Sequence, residues 1–154
     1  MLASPNYFFG IYDGDTAPSN TPAKALPGSK RITALYEEWF NEQKLPWDHT
    51  DFSGRSDYGP FLAEGIVAGG LFSGADETKT QEIRNRYDRM LGQGMGGYAG
   101  VIADPCYHQA CDTVENINTF VYERMIRAAA FVLEYLGREE DLKTWLYPSN
   151  AMTK

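Results

Sequence analysis

Short apolar runs alternate with amphipathic helical patterns along this chain, and that alternation constrains its fold more than any other feature. The runs Tyr7–Tyr12 and Ile66–Phe72 are bounded by turn-forming residues and predict buried strands. A short extended segment is also expected at Thr50–Phe52. Because strands that alternate with helices pack in layers, the sequence predicts an α/β domain.

Four segments have the apolar spacing of helices. The clearest, Val114–Leu136, places its apolar residues on one stripe and is predicted to end at Gly137. An earlier helix is predicted to begin with Ser29 as its N-cap and to end before Pro46. Two further helices are expected at Tyr58–Glu64 and Glu77–Leu91.

Composition limits the domain count and the class of partner. The 154 residues, 43% of them hydrophobic, suffice for a single core. Fourteen Lys and Arg against twenty-one Asp and Glu give a net charge of −7, so no basic surface for nucleic acid or an anionic membrane is expected. The longest uncharged stretch, Met90–Ala103, is too short for a membrane span, and no signal peptide is expected in the sequence as given.

The only two cysteines, Cys106 and Cys111, stand in the segment Cys-Tyr-His-Gln-Ala-Cys. Their spacing permits a small disulfide ring but is too loose for a CxxC redox or zinc-binding element. A disulfide would favour an oxidising compartment and secretion, whereas two reduced cysteines in a cytosolic protein would give the same sequence.

Several apparent motifs have a simpler interpretation. Gly92–Gly97 matches the letters of a dinucleotide-binding fingerprint, but it follows a helix instead of a strand and so favours a loop. Asp13–Asp15 lacks the regularly spaced oxygen ligands of a calcium loop and is interpreted as a turn. His49 lies in a polar connection and is interpreted as a surface histidine. No G-x-S-x-G nucleophile elbow occurs, which disfavours a serine hydrolase.

His108 has two open interpretations. It lies between the two cysteines, directly after Tyr107, with acidic residues on either side. It could be a structural histidine of a constrained loop. Alternatively, its imidazole could bind a metal while the neighbouring phenol donates a hydrogen bond to a developing oxyanion.

The sequence resembles the secreted di-zinc aminopeptidases of bacteria and fungi, metallopeptidase family M28. The resemblance runs in order through about residues 1 to 136, and the cysteine-bounded segment is its most distinctive part. The matching segments are Met1–Phe8, Tyr12–Asp15, Phe52–Phe61, Gly65–Ala75, Gly96–Val101 and Asp104–Asp112. The resemblance implies a layered α/β zinc-exopeptidase domain with a central mixed sheet flanked by helices.

The resemblance also implies a role for individual residues. His108 matches a zinc ligand, and Tyr107 matches the phenol that stabilises the tetrahedral oxyanion. Phe72 matches a wall of the pocket for the N-terminal side chain of the peptide, and the backbone around Arg55 matches a contact to its free amine. Cys106 and Cys111 match the disulfide of the family. Asp57 and Asp112 fall within matched segments and are expected to support the site indirectly.

Most of the family's zinc centre has no match in this sequence. The family domain binds two zinc ions through a bridging aspartate and further ligands, with a glutamate as general base. The matching ligand His108 is the only one found, and one aspartate ligand would directly precede the residue that aligns with Met1. We therefore expect residues 1–137 to be the C-terminal half of a catalytic domain, followed by a tail at 138–154. An internal start codon or a truncated gene model is the expected reason for the missing half.

Two functions follow as expectations. In the first, the chain is part of a zinc-dependent aminopeptidase that acts on peptide N-termini outside the cell and is inactive in isolation. In the second, it is a non-catalytic binding or oligomeric protein derived from that family. Because a half-domain would leave a sheet edge uncovered, self-association through that edge is also expected.

Overall fold

A computed structural model describes residues 2–149 and shows a mixed sheet flanked by helices, which confirms the predicted α/β class. Two single-turn 3₁₀ helices, Gly14–Thr16 and Val114–Asn116, complete the regular structure. In chain order the strands and α-helices are β1 (Gly10–Asp13), α1 (Leu26–Glu42), β2 (Asp48–Asp51), α2 (Tyr58–Ala63), β3 (Leu71–Phe72), α3 (Gln81–Leu91), α4 (Thr119–Arg138) and α5 (Leu142–Leu146).

The sheet has three strands, with β1 in the centre. β1 pairs in parallel with β2, from Gly10 opposite Asp48 to Asp13 opposite Asp51. On its other side it pairs antiparallel with β3, where Gly10 lies opposite Phe72. The long connection between β1 and β2 contains α1, as a parallel pair requires.

The core lies between the sheet, α1 and α4, and it is rich in aromatic side chains. Phe9 is fully buried, and its ring centroid lies 5.4 Å from that of Phe40 on α1 and 5.9 Å from that of Tyr87 on α3. From α4, the buried residues Val121 and Met125 join the same cluster. Aromatic pairs at these separations add attraction beyond the area they bury.

The strand prediction at Ile66–Phe72 is wrong over most of its length. Only Leu71 and Phe72 form a strand, and Ile66 is 46% exposed. This segment crosses α1 at close range, and a Cβ atom on Gly69 would collide with the side chain of Ile32. Two of its backbone N–H groups, those of Val67 and Ala68, donate to the hydroxyls of Tyr147 and Ser29, which lie outside the sheet. The first predicted strand is also shifted, because β1 begins at Gly10 instead of Tyr7.

The helix boundaries differ from those predicted. Ser29 does not cap α1: it lies inside the helix, is fully buried and accepts a hydrogen bond from the N–H of Ala68 at 3.3 Å. The predicted Val114–Leu136 helix divides into a 3₁₀ turn and α4, which begins after its capping residue Asn118. Gly137 does not end α4, which continues to Arg138.

The two shorter helices are confirmed with small shifts. α2 covers Tyr58–Ala63, and α3 begins at Gln81, four residues later than predicted, with Thr80 as its N-cap. The tail forms α5, which packs against α1: the Trp145 carbonyl accepts a hydrogen bond from Arg31. Within residues 2–149 no helix is both long and apolar enough to cross a bilayer. Met1 lies outside the described residues.

Candidate functional site

A shallow cavity of about 110 Å³ brings together three of the residues that the sequence predicted for the site. Arg55 comes from the loop after β2, Phe72 from β3, and Tyr107 from the long connection between α3 and α4. The complete lining comprises Tyr12, Thr50, Asp51, Ser53, Arg55, Ser56, Tyr58, Phe72, Ala75, Asp76, Glu77 and Tyr107.

One side of this cavity is aromatic. The ring of Tyr12 stacks on Phe72 at 5.9 Å and contacts Tyr58 at 4.7 Å. Behind them the fully buried Phe52 lies 4.3 Å from Tyr58. Burial raises the pKa of Tyr12 to about 12. This side of the cavity is therefore an aromatic surface that suits an apolar group.

The opposite side carries charge. The guanidinium of Arg55 bonds to Asp76 at 3.2 Å, and both side chains are more than half exposed. The Glu77 carboxylate accepts a hydrogen bond from the Thr50 hydroxyl at 3.3 Å. Burial raises the pKa of Glu77, while that hydrogen bond opposes the shift. With Asp51 also in the lining, carboxylates outnumber the single guanidinium.

Tyr107 and His108 lie on a loop that a disulfide closes. Cys106 and Cys111 are bonded, which confirms the predicted pairing. The two rings between them meet edge to face, with centroids 4.0 Å apart. His108 has a left-handed backbone with φ of 58°, a conformation that costs free energy for a residue other than glycine. Its imidazole is exposed, whereas Tyr107 is half-buried in the cavity wall.

Comparison with known proteins identifies the family of the chain. The family model described as peptidase family M28 matches residues 4–133, most of the chain. The chain belongs to peptidase family M28. The sequence-based resemblance is thereby confirmed, and the cavity lies within the M28 region because all of its lining residues fall inside the match.

The curated proteins that match this chain include fungal leucine aminopeptidases. The chain is 41% identical over 133 residues to a probable leucine aminopeptidase 2 of Aspergillus fumigatus, which covers 86% of this chain and 25% of that protein. It is 40% identical to leucine aminopeptidase 2 of Trichophyton rubrum and 43% identical to that of Trichophyton equinum, over 90% and 88% of this chain and 26% of each relative. The chain thus spans about a quarter of the length of these relatives.

The described part of this M28 chain does not fit a zinc centre by itself. Within residues 2–149 no three His, Cys, Asp or Glu side chains come together as a group that could hold a metal. His108 offers a single exposed imidazole, and a structural zinc site needs about four ligands. Both cysteine sulfurs are used in the disulfide. A zinc centre would therefore need ligands from elsewhere.

Asp104 supports the M28 loop more directly than the residues that the sequence indicated. It is buried, and its Oδ1 accepts hydrogen bonds from the Cys106 N–H at 2.9 Å and the Asn116 amide at 2.8 Å. By contrast, the Asp112 carboxylate accepts a hydrogen bond from the Asn116 amide at 3.5 Å at an exposed position, and Asp57 is exposed. The signal in the sequence was the Asp-Pro pair before the cysteine, which is typical of a turn anchored by the aspartate side chain.

The remaining motifs follow the simpler interpretations. His49 is 43% exposed, and its Nε2 lies 2.7 Å from a carboxylate oxygen of Glu37. The Gly92–Gly97 segment is a loop whose carbonyls and N–H groups bond to side chains of the protein. The Gly96 carbonyl accepts from Lys79, and the Gly96 N–H donates to Asp88. These groups are therefore engaged within the protein and do not form a phosphate-binding loop.

Proposed function

We propose that this chain is the C-terminal part of the catalytic domain of a secreted zinc-dependent aminopeptidase, which removes single residues from peptide N-termini. Membership of peptidase family M28 and the aminopeptidase names of the relatives support the reaction class. The disulfide supports an oxidising, extracellular location. Two zinc ions would act in the complete domain, held mainly by ligands outside residues 2–149.

The observation that carries this proposal is the cavity that joins Arg55, Phe72 and Tyr107. These residues lie far apart in the sequence, and their side chains meet beside the loop that bears His108. An aromatic wall next to polar and charged groups suits a peptide terminus, which combines a side chain with an amine and a carbonyl.

Each residue has a distinct proposed role. The hydroxyl of Tyr107 donates a hydrogen bond to the carbonyl oxygen of the scissile bond as negative charge develops there. The ring of Phe72 packs against the N-terminal side chain of the peptide, and the backbone around Arg55 contacts the amine. His108 would contribute one imidazole ligand to a zinc ion whose other ligands would come from outside the described residues.

A second candidate is a non-catalytic binding or oligomeric protein. The absence of a group of three metal-binding side chains within residues 2–149 favours it for the chain in isolation. The aromatic wall of the cavity would then be present in a protein that catalyses no reaction. Under both proposals the isolated chain does not hydrolyse peptides.

A chimeric enzyme separates the two proposals. Residues 2–137 would replace the matching segment of Trichophyton rubrum leucine aminopeptidase 2, and hydrolysis of leucine 4-nitroanilide would be measured. We expect an active chimera in which Tyr107→Phe lowers kcat about 10²-fold to 10³-fold with little change in KM. Tyr98→Phe is the matched control, because the Tyr98 side chain is 74% exposed.

Two outcomes would contradict parts of the aminopeptidase proposal. A folded chimera without activity would favour the non-catalytic candidate. An active chimera in which Tyr107→Phe and Tyr98→Phe behave alike would remove the proposed role of Tyr107.

A further inference from the structure

The helix α4 has a second apolar face besides the one that packs into the core. The core face carries the buried residues Val121, Met125, Ala128 and Val132. The second face includes Ile126, 43% exposed, and Leu133, 74% exposed. Its members recur at alternating intervals of three and four residues, the spacing of a coiled-coil seam. We call this face the α4 seam: Thr119, Tyr122, Ile126, Ala129, Leu133 and Leu136.

A row of alternating charges runs along one side of the α4 seam. Glu123 pairs with Arg127 at 2.7 Å, and Glu134 pairs with Arg138 at 2.5 Å. From the N-terminus to the C-terminus the row therefore has the order negative, positive, negative, positive. When two copies of this row run antiparallel to each other, each charged side chain of one copy lies opposite a side chain of the opposite charge in the other copy.

We propose that the α4 seam is an interface at which a second copy of this chain binds in antiparallel orientation. With Ile126 opposite Leu136 of the partner subunit, Leu133 lies opposite Ala129 of the partner subunit. The same register brings Glu123 within one residue of Arg138 of the partner subunit, and Arg127 within one residue of Glu134 of the partner subunit. The contact is isologous, so each pair occurs twice.

The parallel orientation gains nothing from the same charges. In a parallel pair related by a two-fold axis, the charge row of one copy and the charge row of the other lie on opposite sides of the interface. The four charged residues would then find no partner in the row of the second copy. The antiparallel arrangement turns the same four residues into intermolecular pairs, which is the charge complementarity that favours a second copy as the occupant.

The exposed members of the α4 seam, Tyr122, Ile126 and Leu133, remain accessible in the described chain, whereas Ala129 and Leu136 at its edge also pack against the core. The short helix α5 contacts α4 through Trp145, whose ring lies 5.9 Å from that of Tyr135. Tyr135 is nine residues from Ile126, which places it on the opposite side of the helix at about 100° per residue. With 20 residues, α4 is about 30 Å long, enough for several layers of side chains across the seam.

The test is the oligomeric state of the full chain. Light scattering coupled to size exclusion, at concentrations up to about 100 µM, would follow the wild type and Leu133→Glu. We expect a dimer for the wild type and a loss of affinity of at least about tenfold for the variant, since each subunit contributes the new charge to an apolar contact. Tyr98→Glu is the control, because Tyr98 has the same 74% exposure outside α4.

Charge exchange tests the orientation independently of hydrophobic packing. Arg127→Glu should weaken the dimer, because it places two carboxylates opposite each other, and the double variant Arg127→Glu with Glu134→Arg should restore it. A monomeric wild type over the whole concentration range would overturn the proposal and favour a different occupant. A dimer that persists in a folded Leu133→Glu variant would also overturn it and favour the sheet edge.

Discussion

Lys79 places an ammonium group in the aromatic core. The side chain is fully buried, its Nζ donates to the Gly96 carbonyl at 2.9 Å, and the rings of Tyr7 and Tyr87 lie 4.9 and 5.1 Å away. Burial lowers the pKa of Lys79 to about 8, although the attraction of two carboxylates opposes that shift. The folded protein therefore gives up this proton more readily than the unfolded chain.

This difference predicts a pH dependence of stability. Between about pH 8 and pH 9.5 the unfolded chain binds more protons at Lys79 than the folded protein, so the free energy of unfolding rises with pH. Urea unfolding should show the wild type gaining stability relative to Lys79→Met across this range, with a constant difference below it. Lys143→Met, at an exposed position on α5, is the control and should show no such trend. A pH-independent difference for Lys79→Met would contradict the prediction.

Asp104 gives a second prediction for a single residue. Asp104→Ala leaves the Cys106 N–H and the Asn116 amide without their acceptor, and we expect a loss of about 1–3 kcal/mol in the free energy of unfolding. Asp112→Ala removes only a 3.5 Å contact at an exposed position and should change stability by less than about 0.5 kcal/mol. Urea unfolding at neutral pH measures both. Equal losses would show that Asp104 does not anchor the loop.

The beginning of α4 depends on one side chain. The Asn118 Oδ1 accepts hydrogen bonds from the N–H groups of Phe120 and Val121 at 3.1 and 3.2 Å, and its amide donates to the Pro5 carbonyl at 3.2 Å. Asn118→Ala should lower the free energy of unfolding by about 1–2 kcal/mol, because the cap is lost. Asn118→Asp keeps the acceptor and should lose less. If thermal or urea unfolding shows the two variants to be equally destabilised, the contact with Pro5 is the dominant one.

The elements show which parts of the fold the sequence could predict. Apolar periodicity located the helices because it reports directly which side of a helix is buried, and α4 is the clearest case. The apolar pattern at Ile66–Phe72 predicted a strand over the whole segment, but only Leu71 and Phe72 form one. Two of its N–H groups bond to Ser29 and to the Tyr147 hydroxyl, both distant in sequence. A local pattern cannot indicate such partners.

The grouping of the proposed site residues was expected only from the resemblance to a family. Nothing in the spacing of Arg55, Phe72 and Tyr107 indicates that they line one cavity. The sheet brings the loop after β2 close to β3, and Tyr107 reaches the cavity from the connection between α3 and α4. Asp104 was overlooked because the Asp-Pro pair indicates only a turn, whereas its role depends on hydrogen bonds from the Cys106 N–H and from the side-chain amide of Asn116.

At the level of the whole molecule, the metal content tests how much of the catalytic centre this chain contains. His108 is a single exposed ligand, and the described residues bring no group of three metal-binding side chains together. The other histidine, His49, is already paired with Glu37. Because zinc affinity depends on several ligands held in place, one imidazole cannot bind the ion tightly.

We therefore expect the purified full chain to retain well below one equivalent of zinc after dialysis, and to show no hydrolysis of leucine 4-nitroanilide. Elemental analysis measures the first quantity and absorbance the second. His108→Ala should remove whatever weak binding remains, whereas His49→Ala should leave it unchanged. Two tightly bound equivalents together with activity would mean that the chain forms a complete centre, for instance across two copies, and would contradict the division of ligands proposed above. Metal without activity would locate the deficit in the general base instead of the ligands, because the two are supplied by different residues.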